Sequence, residues 1–111
     1  LMIPTKSGRL ISVESLFQSS KVFKSLDVKT GPYRDLMYKS PKEAKTDERL
    51  KTSGNLIEFS YQPNPNSPEE IWDLWPKTAF YDWIYLNALN KKAFNSKRLN
   101  IGSFNKDVFK N

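Results

Sequence analysis

The sequence contains no cysteine and no histidine. The first absence excludes disulfide frameworks, cysteine-based zinc sites and thiol nucleophiles, and the second excludes every triad that needs an imidazole. Glycine is scarce, at 4 in 111 residues, and no glycine-rich phosphate loop or cluster with metal-ligand spacing is visible. Long apolar runs are missing too, so nothing reads as a membrane span, and no charged-then-apolar leader opens the chain. The first two residues are Leu-Met, which points to a partial chain.

What is present is aromatic and basic. Three Trp, five Tyr and seven Phe can build a core from a lean 38% of apolar residues. The net charge of +6 is unevenly spread. Residues 1–51 hold eleven bases and six acids, residues 52–90 one base and five acids, and residues 91–111 six bases and one acid. Two basic ends around an acidic middle suit a polyanion such as nucleic acid or a phosphate-bearing nucleotide; a lysine-rich solvated surface has the same composition.

The pattern predicts one domain over 1–111, α+β and helix-dominant, with an N-terminal β-hairpin followed by several helices. The hairpin joins 1–5 to 10–13 around Lys6-Ser7-Gly8-Arg9. Ser12 caps a predicted helix over 13–25, and 27–33 reads as a loop. Ser40-Pro41-Lys42-Glu43 has the form of a capping box opening a helix to about residue 51. Ile57, Phe59 and Tyr61 alternate as in a strand. Ser67-Pro68-Glu69-Glu70 repeats the cap logic for a short helix. From Pro76 a longer helix runs to about residue 90, with Ala79, Phe80, Trp83, Ile84, Asn87 and Ala88 on one face. In the basic tail only 99–101 and 108–109 suit a strand.

Four groups of residues carry possible chemistry, each beside a plainer reading. Glu14, Gln18 and Lys21 stand at i, i+4 and i+7, which at roughly 100° per residue places them in a narrow arc of one helix face. Glu and Lys can move protons and Lys can attack an electrophilic carbon; a solvated strip has the same spacing. Ser40, with Lys39, Lys42 and Lys45 around it, marks a helix start that can hold a phosphate or be simply capped. Trp72 and Trp75 can stack on a base or anchor the core. Asp107, the lone acid of the tail, is a candidate carboxylate or a turn residue.

Two stretches resemble a known family. ISVESLFQSSKVF (11–23) is similar to the E-x-x-x-Q-x-x-K helix of the NADAR superfamily, the NAD- and ADP-ribose-associated proteins, and SPKEAKTDER (40–49) to its following Ser-Pro helix. GPYRDLMYKSPKEAKTDERLKTSG (31–54) and PKTAFYDWIYLNAL (76–89) resemble blocks of one subgroup, the NADAR antitoxins paired with DarT-type DNA ADP-ribosyltransferases. The resemblance covers about 1–111. The family's Asn-Phe element ahead of the hairpin and the subgroup's acidic, Asn-Cys-containing segment beyond the tail have no counterpart, so a NADAR-like domain truncated at both ends is expected.

The resemblance implies an N-glycosidase that removes ADP-ribose from guanine in DNA, an antitoxin undoing its toxin's modification. Glu14 and Lys21 match the family's Glu and Lys as catalytic groups. Gln18, Ser40, Lys45, Arg49 and Trp72, or alternatively Trp75, are implied in substrate binding, and Asp107 as a further acid. The implied partners are guanine-linked ADP-ribosylated DNA, ADP-ribose and a DarT-type toxin, in the cytoplasm, with no cofactor, metal or membrane. The alternative is a non-catalytic module that binds ADP-ribose, NAD or nucleic acid, and a truncated chain can also be an inactive one.

Overall fold

The computed structural model of the chain describes residues 2–4, 9–74 and 79–97. Strands β1 (Met2–Pro4) and β2 (Leu10–Ser12) pair antiparallel, Ile3 opposite Ile11, as the predicted hairpin requires. Helix α1 (Val13–Ser19) follows directly. Ser12 caps it, its Oγ accepting from the Ser15 N–H at 2.9 Å, and Glu14 in the first turn suits the helix dipole.

The helix ends much earlier than the pattern predicts. The hydroxyls of Ser19 and Ser20 both donate to the Leu16 carbonyl, at 2.9 and 2.7 Å, and serines that bond back to the preceding turn weaken helix continuation. Residues beyond them are strand. β3 (Lys21–Ser25) turns at Leu26-Asp27 into β4 (Val28–Thr30), so the second half of the predicted helix and part of the predicted loop form a hairpin.

A 3-10 helix (Arg34–Tyr38) leads to α2 (Pro41–Lys45) and α3 (Glu48–Thr52). The single helix predicted from Ser40 is thus divided. The Thr46 hydroxyl donates to the Lys42 carbonyl at 2.7 Å, and Asp47 starts a new helix by accepting from the Arg49 N–H at 2.9 Å. Gly54, at φ +105°, then releases the chain into β5 (Asn55–Tyr61).

The helix predicted after Ser67 is also a strand, β6 (Glu70–Asp73). Ser67 does not cap: its hydroxyl donates to the Asn64 carbonyl at 2.7 Å and its own carbonyl accepts from Gln62 Nε2 at 2.9 Å. β6 pairs with β5 in a register that sets Trp72 opposite Phe59. The larger sheet has the order β4-β3-β5-β6, antiparallel throughout.

The expectation of a helix-dominant fold is therefore overturned. Among the described residues, six strands in two antiparallel sheets share the molecule with the helices. α4 (Ala79–Lys97) closes the core, and Ala79, Phe80, Trp83, Ile84 and Ala88 are buried as its apolar face predicts. Phe80 stacks on Phe59 at 4.8 Å between ring centroids, and Trp83 meets Tyr61 edge-on at 5.0 Å. Val13 and Leu16 of α1 belong to the same core. The two candidate tail strands lie outside the described residues.

Candidate active site

α1 and the start of β3 bring Glu14, Gln18 and Lys21 together by a route the helical spacing does not describe. Glu14 and Gln18 lie one turn apart on α1, and Gln18 Nε2 donates to Glu14 Oε1 at 2.9 Å. Lys21 is on no helix. It is the first residue of β3, and the short Ser20 link returns it to α1, where its ammonium stands 5.2 Å from the centre of the Phe17 ring. Glu14 and Lys21 are half-buried, whereas Gln18 is 5% exposed.

This setting alters Lys21. Burial lowers its proton affinity below that of an ordinary lysine, and the negative charge of Glu14 restores part of it. Tyr81 of α4 belongs to the same neighbourhood. Its hydroxyl titrates above the ordinary tyrosine range, first through burial and then through Glu14 and Tyr85. Its ring meets Phe17 edge-on at 5.1 Å. Sequence reasoning missed Tyr81 because α4 was read only for its core-facing stripe, and Tyr81 lies beside that stripe.

The expected pyrophosphate residues have other engagements. Ser40 caps α2, accepting from the Glu43 N–H at 3.2 Å and donating to the Glu43 carboxylate at 2.9 Å. Lys45 ends that helix and is exposed. Arg49 forms ion pairs with Asp35 at 2.6 Å and Asp47 at 3.0 Å and lies over the Tyr33 ring, 4.7 Å from its centre. Both carboxylates are held below the ordinary aspartate range, chiefly by their hydrogen bonds from Arg49.

Trp72 is 1% exposed, with Phe80 and Trp83 at 5.6 and 5.2 Å between ring centroids. An indole enclosed in this way packs as part of the core. Trp75 and Asp107 lie outside the described residues.

A second polar cluster had no signal in the spacing. Arg34 donates to the Ser60 carbonyl at 2.5 Å and to the Ser60 hydroxyl at 2.7 Å, and that hydroxyl donates to Glu69 at 2.7 Å. These residues are 26 and 9 positions apart in the chain, so only the folded sheet joins them.

Among the described residues, no group of three or more acidic side chains could hold a metal ion, and no helix is long and apolar enough to cross a membrane. A small antiparallel α+β fold with a carboxylate–amide–amine group at a helix–strand junction is the setting in which the family blocks 11–23 and 40–49 fall. The model of a family described as DarT1-associated NADAR antitoxin matches residues 1–108, and the chain belongs to that family. It thereby takes the place of an antitoxin associated with a DarT1 toxin. No curated protein matches the chain.

Proposed function

We propose that this antitoxin is an N-glycosidase that releases ADP-ribose from guanine in DNA and so reverses the toxin's modification. The observation that carries the reading is the half-buried pair of Glu14 and Lys21, with the proton affinity of Lys21 lowered by burial. Cleaving a ribosyl–nitrogen bond builds positive charge on the sugar, and a carboxylate beside the anomeric carbon stabilises it. Glu14 takes that role. The departing guanine nitrogen needs a proton, and the Lys21 ammonium, made more acidic by its surroundings, supplies it. Water then adds to the anomeric carbon, and its surplus proton returns to the Lys21 amine. The products are ADP-ribose and an unmodified guanine in the strand. Direct attack of the Lys21 amine on the sugar carbon is the other chemistry open to the same pair.

The two basic ends of the chain suit the DNA backbone. The test is a short DNA carrying a guanine-linked ADP-ribose, incubated with the parent chain, Glu14→Gln and Lys21→Ala. Release by the parent and a loss of about a hundredfold or more in both variants supports the assignment. Tight ADP-ribose binding without release replaces it with a non-catalytic ADP-ribose reader. Salt-sensitive DNA binding with no preference for the modified strand replaces it with a nucleic-acid-binding module.

A further inference from the structure

The Gln18 side chain is 5% exposed, and its two polar atoms have unequal partners. Nε2 donates to Glu14 Oε1 at 2.9 Å, while the buried Oε1 has no hydrogen-bond partner among the described residues. The orientation of the amide is not arbitrary. A carboxylate accepts and cannot donate, so the nitrogen must face Glu14 and the oxygen must face away. An unpaired buried carbonyl is destabilising, and leucine would fill a similar volume at a helical position without that penalty. Amide-to-carboxylate pairs one turn apart are common on exposed helix faces, where each contributes little to stability. That gain is smaller than the penalty of a buried amide with one end unpaired.

We propose that Gln18 is a positioning residue for Glu14. Its N–H occupies one carboxylate oxygen and fixes the plane of the group, so that the other oxygen is the one presented to the sugar. This inference rests on the glycosidase reading of the site. It assigns Gln18 an action through Glu14, not contact with the ribose hydroxyls.

Gln18→Leu and Gln18→Glu test it on the ADP-ribosylated DNA. Gln18→Leu removes the donor and leaves the packing nearly unchanged. The expected result is a fall in kcat of about 10–100-fold with KM altered less than about threefold, since a misplaced catalytic group affects the reaction more than binding. Gln18→Glu sets two carboxylates against each other at neutral pH, and like charges at this distance share a proton as pH falls. The introduced carboxyl, once protonated, donates to Glu14 again, so this variant recovers activity relative to the parent in mild acid. Among the described residues, Glu14 on α1, Lys21 on β3 and Tyr81 and Tyr85 on α4 are the ionisable groups electrostatically linked at this spot. The comparison with the parent removes their own titration from the reading.

A structural role alone would lower the melting temperature of Gln18→Leu while leaving kcat at the parental value at temperatures where both proteins are folded. If Gln18→Leu does not fold, the acid recovery of Gln18→Glu carries the test. An active parent with Gln18→Leu at parental kcat, or Gln18→Glu with a parental pH profile, overturns the positioning role and leaves the glycosidase reading intact. A parent that releases no ADP-ribose overturns both.

Discussion

Lys21 has two ties, an electrostatic one to Glu14 and a cation–ring contact with Phe17, yet its net shift is toward weaker proton binding. Desolvation therefore outweighs the attraction. The consequence for stability has a definite sign. The folded chain holds this proton less tightly than the unfolded chain, whose lysine titrates at the ordinary 10.5. Between the lowered folded value and that ordinary value the unfolded state binds more protons, so the contribution of Lys21 to stability rises with pH across the window. Lys21→Met has no such titration. Its stability relative to the parent is expected to decline as pH rises through the window between the lowered folded value and the ordinary 10.5, and to be constant below that window, as read from urea midpoints of both proteins. A constant difference would show that Lys21 is not desolvated. This setting was invisible in the sequence, because the i, i+7 spacing assumed an unbroken helix. Glu14 bonds to Gln18 and acts electrostatically on Lys21, but across a helix end and a strand. Gly54 is a simpler case. It follows the helical stretch as a glycine does at a helix end, and it stands at φ +105° where a Cβ would lie 2.6 Å from the Lys24 carbonyl.

At the scale of elements, start signals were more legible than stop signals. Ser12 and Ser40 both cap as their sequences predict, because the residue three positions on presents its N–H to the hydroxyl in each. Ser67 has the same Ser-Pro-x-Glu form and does not cap, because residues 70–73 pair with β5 as a strand and no helix N–H follows for its hydroxyl to accept from. Helix ends depended on back-bonding by Ser19, Ser20 and Thr46, which apolar periodicity does not report. The Ser12 cap is also more than local. Ser12 Oγ donates to Ser15 Oγ at 2.6 Å, and Ser15 Oγ donates to the Lys39 carbonyl at 2.8 Å, which ties the start of α1 to the approach to α2. Ser12→Ala removes the cap and one member of this buried chain. The expected cost is about 1–2 kcal/mol, the upper part of the range for cap removal. Chemical denaturation measures it, and a loss below about 0.5 kcal/mol would mean that Ser15 and Lys39 hold the junction without Ser12.

For the whole molecule, the aromatic residues join the site to the core. Phe17 lies 5.2 Å from Phe59, 6.2 Å from Phe80 and 5.1 Å from Tyr81 between ring centroids, and its ring also faces the Lys21 ammonium. Phe80 reaches Phe59, Tyr61 and Trp72 from α4, so one ring on that helix touches both of the strands that carry the core aromatics. The richness in aromatics is plain in the sequence, but their partners are not, since Ser67-Pro68-Glu69-Glu70 has the form of a helix start and Trp72 suits either the core or a stacking role. Phe80 is 1% exposed, and Phe80→Ala removes the ring at the centre of this arrangement. Replacing a buried Phe by Ala costs about 3–5 kcal/mol. A domain of this size has about 5–15 kcal/mol in total, so the variant is expected to be marginal. Because Phe17 shares the same cluster, loosening it also frees the ring beneath Lys21. Urea unfolding of the parent, followed by tryptophan fluorescence, should therefore coincide with loss of ADP-ribose release, and in Phe80→Ala both midpoints should fall together. Activity lost well before fluorescence would show that the junction of α1 and β3 opens independently of the core.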